Sequence, residues 1–338
     1  MSGDALSTLL SLCAADALGA ATEFKSPEAI AARYPRPFDH YQAGSVFGFA
    51  PGEATDDSQM TVATLLGYAR GGLPEVWIAL REWLATGPPD VGNLTRAALG
   101  ASQPDGGVHA WEASGFQGAG NGGLMRVAAA WIAGLRGEAL ARESAVLTAL
   151  THADPRCVHA SVALTALMEA LHEGAPLEDA GESALKVMDG ADAEAALLEA
   201  GLFNASTLRA QATFRARDRE ARSQVRARVR AGLAGRLTSQ SGFVLDTLEA
   251  AVRHAGRVPA PGADAWLACV EPAVLLGDDS DTVACVVGAL IGARGLKVPE
   301  HLLPPLCLGH SWPGWARAWA GLEHLPPVVA AAQRHRGA

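Results

Sequence analysis

The chain is short of charge, of cysteine and of long apolar runs, and each shortage removes a class of protein. Only 19% of its 338 residues are charged while 49% are hydrophobic, so most of it has the apolar material for a sizeable core and is not disordered. The five cysteines, Cys13, Cys157, Cys269, Cys285 and Cys307, are odd in number, scattered and free of any C-x-x-C pair. That excludes a disulfide framework or a zinc knuckle and leaves reduced core residues. The longest apolar stretch, Val283 to Ala293, falls well short of the roughly 18 residues that cross a bilayer, and is expected to be a buried helix. A second apolar run, Ala5 to Leu18, has no Lys or Arg before it and is interrupted by Ser7, Ser11 and Asp16. This argues against a secretion signal, and cytoplasmic residence is expected. Positive charge is also scarce: 27 Lys and Arg stand against 36 Asp and Glu, for a net charge of −9. The balance opposes whole-protein binding to nucleic acid or an anionic membrane and suits neutral or cationic partners, or metal ions.

No segment alternates as a strand does. Apolar residues recur at helical spacing, as in Met60, Ala63, Thr64 and Leu66 or Val162, Leu164, Leu167, Met168 and Leu171, and abundant alanine adds high helix propensity. An all-α fold is predicted. Glycine and proline clusters, such as Gly44 to Gly52 and Gly115 to Gly123, divide the helices, but none is long or polar enough to be a linker, so residues 1–338 are expected to form a single domain. The arginine-rich stretch Arg209 to Arg236 is either a solvated helix or an arm for an acidic partner or the phosphates of a substrate, nucleic acid included. The solvated helix is preferred, because no aromatic residues interleave to stack bases.

Two acidic clusters each precede an apolar helix: Thr55-Asp56-Asp57-Ser58 and Gly277-Asp278-Asp279-Ser280-Asp281-Thr282. One acid at a helix start is a cap that complements the macrodipole. Three acids within four residues repel one another unless a cation neutralises them, and oxygen-only donors suit Mg²⁺ or Mn²⁺ rather than zinc. Two such clusters can hold two ions, the arrangement of a binuclear hydrolase. A third element, Gly118 to Gly123 before Leu124-Met125-Arg126, is predicted to run into a helix and to bring backbone amides close to an anion. Arg126 would pair there with phosphate or form a salt bridge.

Together these segments resemble the ADP-ribosylglycohydrolase family. Asp16-Ala17-Leu18-Gly19 with Glu23-Phe24 is similar to its opening signature, and Thr55-Asp56-Asp57-Ser58-Gln59-Met60 to its T-D-D-[TS]-x-M. Pro89-Asp90-Val91-Gly92-Asn93 with Thr95-Arg96, then Gly120-Asn121-Gly122 with Met125-Arg126, Thr151-His152, and Asp279-Ser280-Asp281-Thr282 follow in the family's order. Asp278 departs from it, standing where the family usually has glycine, and would either raise cation affinity or cap the helix.

The resemblance implies a single all-α domain with two Mg²⁺ or Mn²⁺ ions held by Thr55, Asp56, Asp57, Asp279, Asp281 and Thr282. It implies hydrolysis of the glycosidic bond between ADP-ribose and an acceptor, with an ADP-ribosylated protein or small ADP-ribosyl conjugate as partner and ADP-ribose as product. ADP-ribosyl-arginine is preferred because Asp90-Val91-Gly92-Asn93 resembles the arginine-type members. The alternatives are a serine, O-acetyl-ADP-ribose, guanidine or nucleic-acid linkage, or a noncatalytic ADP-ribose-binding or immunity module. Catalytic roles fall on Glu23, which would gate the site or position water, on Asp90, an acid or base at the ribose or else a helix cap, and on Asp279. ADP-ribose would meet Gly120, Asn121, Gly122, Met125 and His152.

Overall fold

The helical periodicity is realised in most of the described residues. The computed structural model describes residues 4–309 and 322–334. In order come α1 (Ala5–Gly19), α2 (Pro27–Arg33), α3 (Asp56–Arg70), α4 (Leu73–Ala85), α5 (Asn93–Leu99), α6 (Gly106–Ala113), α7 (Ala128–Ile132) and α8 (Gly137–Ala149). They are followed by α9 (Pro155–His172), α10 (Leu177–Gly190), α11 (Ala193–Glu199), α12 (Leu208–Leu233), α13 (Val244–Ala255), α14 (Ala265–Val274), α15 (Ser280–Ala293) and α16 (Leu325–Arg334). Among the described residues there is no strand; two isolated bridges join Glu53 to Cys307 and Gly120 to Phe243. No described helix is long and apolar enough to cross a membrane.

The run Val283 to Ala293 lies in α15, and every residue of that helix is buried, as suits a helix apolar on all sides. The N-terminal helix α1 lies directly against it. A Cβ added to Gly288 would come within 2.5 Å of the Ser11 carbonyl oxygen, and one on Gly292 within 2.9 Å of Thr8 Cα, so the two helices touch backbone to backbone. Ser11 Oγ donates to the Gly288 carbonyl at 2.7 Å and accepts from Trp266 Nε1 at 2.8 Å. Leu9, Leu12 and Leu18 of α1 are fully buried, each worth about 2 kcal/mol of apolar burial. Helices α3, α9, α13 and α14 also pack on α15, while α8, α10 and α12 pack on α9, and α4 and α16 on α3.

The arginine-rich stretch lies largely in α12, whose counter-charges come mostly from neighbouring helices, with Asp218 supplied by α12 itself. Arg215 pairs with Glu194, Arg226 with Asp189, Arg230 with Glu182, Arg222 with Asp218, and Arg228 with Asp246 and Glu249. The apolar face of the helix buries Phe214, Val225 and Val229. The solvated helix is therefore the correct alternative, and a phosphate-binding arm has lost most of its free charge.

Behind the second acidic cluster, Gln240 anchors a loop. Its amide donates to the carbonyls of Ala273 (2.9 Å) and Gly277 (3.3 Å), its carbonyl oxygen meets His254 Nε2 at 2.9 Å, and its backbone oxygen accepts from Asp279 N. Burial, aided by the charges of Arg253 and Arg257, pushes the His254 imidazole from 6.5 down to about 3. The unfolded chain therefore binds the extra proton between those values, and stability falls as pH drops through that window.

Two outcomes follow from this packing. Gly288→Val drives a branched side chain into the backbone of α1 and is expected to cost about 3 kcal/mol, read as a lowered midpoint in denaturant. His254→Gln is expected to show a shallower acid loss of unfolding free energy than the wild type below about pH 6.5; parallel pH profiles would contradict it.

Candidate active site

Segments far apart in sequence bring their acids into one cleft. α3 opens with Asp56 and Asp57, Asp279 precedes α15, Asp281 lies in the first turn of α15, and α1 carries Asp16 near its C-terminus. The positive ends of α3 and α15 both favour negative charge there. Asp16 accepts from Thr55 N at 3.1 Å, Thr55 Oγ1 at 2.8 Å and Ser58 N at 3.1 Å, and in a short contact from Ser58 Oγ. Thr55 occupies the N-cap of α3 but makes no cap bond with its own side chain. Asp16 fills that role from another helix, satisfying amides that the helix start leaves free.

The hydroxyls of Thr55 and Thr282 each lie 3.2 Å from Asp57 Oδ2. Carboxylate oxygens of Asp16, Asp57 and Asp281 fall within 4.8 Å of one another, and so do those of Glu23, Asp90 and Asp281. Asp281 belongs to both groups. Burial raises the pKa of all these acids, because the charged form loses water and faces its neighbours. Asp16 is pushed up to about 6 by burial; Asp90 to about 6 by burial and Asp279; Glu23 to about 9 by burial, Asp90 and Asp279. Asp56, Asp57 and Asp281 are raised well above the carboxylate range by burial first and neighbouring acids second.

Three buried carboxylate oxygens, Asp57 Oδ1, Asp281 Oδ1 and Glu23 Oε2, have no hydrogen-bond partner, and each belongs to a residue of these groups. Orphaned anionic oxygens in an all-oxygen donor set fit a hard divalent cation.

Above the acids lies a cleft of about 290 Å³, lined by Glu23, Asp56, Asp90, Asp279, Asp281 and Thr282 together with Gly120, Asn121, Gly122, Met125 and His152. Thr55 and Asp57 lie buried beneath it. Every expected site residue is thus in or under one cavity. A larger groove, about 480 Å³, is floored by alanines between α8 and α11 and holds no such cluster.

Several finer expectations change. Asp56 and Asp279 fall outside the two three-acid groups, while Glu23, Asp90 and the unassigned Asp16 fall inside them. Glu23 is only 3% exposed, so it is no ordinary surface acid. Asp90 caps nothing, since α5 begins at Asn93 with Gly92 at its N-cap. The glycine loop does not run straight into a helix: residues 122–127 are turns and α7 starts at Ala128. Arg126 neither reaches a phosphate site nor forms a salt bridge; it is fully buried and donates to the Leu147 carbonyl and Thr151 Oγ1. Asp278 is exposed and adopts φ 55°, a left-handed conformation that explains glycine as the usual residue there. Its backbone exchanges hydrogen bonds with the opening segment: Phe24 N donates to the Asp278 carbonyl at 2.7 Å, and Asp278 N to the Lys25 carbonyl at 3.2 Å. It neither caps α15 nor joins the acid groups.

Asn121 reaches Asp279 Oδ2 at 2.5 Å and Thr247 Oγ1 at 2.9 Å through its amide nitrogen. Thr247, Gly242 and Asp16 were missed as site residues. Only Asp16 left a signal, as a lone acid inside an apolar helix.

An all-helical chain whose cleft gathers oxygen donors in this way has the makings of a divalent-metal centre. It belongs to the ADP-ribosylglycohydrolase family, whose family model matches residues 3–331. The chain is similar to ADP-ribosyl-[dinitrogen reductase] glycohydrolase of Rhodospirillum rubrum, with 34% identity over 134 residues, covering 39% of this chain and 45% of that protein; the match thus spans less than half the length of this curated relative. A solved structure described as an ADP-ribosylglycohydrolase-related protein complex shares the fold, with a TM-score of 0.66 and 24% identity over 98% of this chain and 97% of its own.

If the acids hold cations, a divalent ion at about a hundred times its Kd is expected to stabilise the protein by about 2.7 kcal/mol, seen as a raised melting temperature. Asp281→Asn, placed in both groups, should abolish most of that rise, and the exposed Asp278→Ala should keep it.

Proposed function

We propose that the chain is a divalent-metal-dependent ADP-ribosyl hydrolase that cleaves ADP-ribosyl-arginine, on protein or in a small conjugate. The observation that carries this is the pair of three-acid groups sharing Asp281 beneath a cleft that also presents the glycine loop and His152. The printed name of the R. rubrum relative agrees with the reaction class, and Asp90-Val91-Gly92-Asn93 supports arginine as the acceptor. In this proposal residues 1–338 act as one domain, since α1 and α15, from opposite ends of the chain, share one core.

Water adds its oxygen to the anomeric carbon as the bond to the guanidino nitrogen breaks; the water gives up a proton and the leaving group takes one, yielding ADP-ribose and arginine. Thr55, Asp56, Asp57, Asp279, Asp281 and Thr282, joined by Asp16, would hold two cations, Mg²⁺ or Mn²⁺. Bound there, the ions supply Lewis acidity toward ribose hydroxyls and water.

Asn121 fixes the carboxylate of Asp279 at the cleft wall, which keeps its oxygens aimed at the ribose. Asp90 lines the cleft with a carboxyl pushed up to about 6 by burial and by Asp279, which suits it to exchanging a proton at the sugar. Glu23, next to the exposed Phe24, positions water and substrate at the mouth. Gly122 lets the loop lie against the His152 ring, where a Cβ would come within 2.8 Å of Cε1, and with Gly120, Asn121 and Met125 it contacts ADP-ribose.

The test is release of free ADP-ribose from ADP-ribosyl-arginine and ADP-ribosyl-serine, with Mg²⁺ or Mn²⁺ and after chelation. Release from the arginine conjugate, lost on chelation and reduced at least about a hundredfold in Asp279→Ala, is expected. Faster release from serine would move the acceptor, and ADP-ribose binding without release from either would make the protein a binding module.

A further inference from the structure

A guanidinium buried without a carboxylate is costly, and Arg126 is one: it is fully buried, burial lowers its pKa to about 10, and its Nε and Nη1 have no hydrogen-bond partner. Its Nη2 has two, the Leu147 carbonyl at 3.0 Å and Thr151 Oγ1 at 2.7 Å. Thr151 Oγ1 in turn lies 2.9 Å from Nδ1 of His152, the residue whose ring borders the glycine loop.

Hydrogen-bond satisfaction selects one proton direction along this chain. Arginine only donates, so Thr151 Oγ1 accepts from it. Oγ1 has a second lone pair for an Nδ1–H, but that arrangement would leave the buried Thr151 hydroxyl proton with no acceptor among the described residues, a costly state, so the proton is assigned to His152 Nδ1. Nδ1 is then an acceptor and the imidazole proton sits on Nε2. A second ring proton is opposed by burial and by the nearby Arg126 charge, which push His152 from 6.5 down to about 3. Nε2 has no protein partner among the described residues, and it borders the cleft: a Cβ on Gly122 would lie 3.3 Å from it, and one on Gly120 3.4 Å.

We propose that Arg126 and Thr151 are positioning residues that lock His152 as the neutral Nε2–H tautomer, giving the cleft a fixed hydrogen-bond donor for an acceptor oxygen of ADP-ribose. A freely titrating histidine would switch between donor and acceptor; this one cannot. The ligand half rests on the function proposed above, while the tautomer half stands without it.

The tautomer is read without substrate, from ¹⁵N chemical shifts of histidine-labelled full-length protein, with the His152 signals identified by their loss in His152→Asn. A pyrrole-type Nε2 and a pyridine-type Nδ1 are expected in the wild type. Thr151→Val, which removes the hydroxyl donor at nearly constant volume, is expected to populate the Nδ1–H form, and Thr151→Ser to restore the wild-type pattern. ADP-ribose affinity, titrated with Mg²⁺ present, should fall about fivefold in Thr151→Val, the loss of one neutral hydrogen bond, and recover in Thr151→Ser. An Nδ1–H wild type, or a Thr151→Val protein with the wild-type tautomer, overturns the lock. A switched tautomer with unchanged affinity overturns the donor role. Failure of the wild type to bind ADP-ribose overturns the proposed function while the tautomer result stands.

Discussion

Crowded carboxylates are the constraint on which this structure depends. Asp16, Glu23, Asp56, Asp57, Asp90, Asp279 and Asp281 all lose water in or under one cleft, and their pKa values are raised. Such an arrangement opposes folding when the acids are ionised, and only an opposing charge or retained protons can offset it. The fold concentrates resources against it: the N-terminal ends of α3 and α15, the Thr55 and Thr282 hydroxyls and the Asn121 amide all point at these oxygens. Asp57 Oδ1, Asp281 Oδ1 and Glu23 Oε2, left without a donor, are the oxygens that a cation would satisfy.

Placing the acids is the work of the α1–α15 contact. The two helices approach so closely that glycine is required at Gly288 and Gly292, and a Cβ on Gly19 would come within 2.5 Å of Asp281 Cα. That approach sets Asp16 and Asp281 in one group although they lie at opposite ends of the chain. Burial of leucines along α1 and of the whole of α15 holds the register. The site is thus a product of backbone packing: Asp16, Asp56, Asp57 and Asp281 sit on α1, α3 and α15, while Glu23 and Asp90 sit on the short connections α1–α2 and α4–α5.

Much of this was legible in the sequence because the signals are local. Helical periodicity and the alanine content named the all-α class, and two acid-dense segments before apolar helices named Asp56, Asp57, Asp279 and Asp281 as candidates. Asp16 could not be read the same way: a single acid within α1 has no neighbour in sequence to reveal that it caps α3 across space. Thr247 and Gly242 were equally silent, since their link to Asn121 depends on a loop pairing between distant segments. Arg126 misled, because a basic residue after a glycine loop suggests a phosphate, whereas here the side chain turns inward. The α12 arginines read as a solvated helix from the sequence, but their partners are spread over several helices and only the folded chain shows how they are met.

The reciprocal backbone bonds between Phe24, Lys25 and Asp278 carry a mechanical consequence. They stitch the segment bearing Glu23 to the loop that leads into α15, with two left-handed residues, Phe24 and Asp278, forming the seam. Glu23 and Asp281 therefore move as parts of one body, and admitting a substrate by swinging Glu23 aside would mean unpicking both bonds. The seam ties the mouth of the cleft, at Glu23 and Phe24, to its floor at the start of α15.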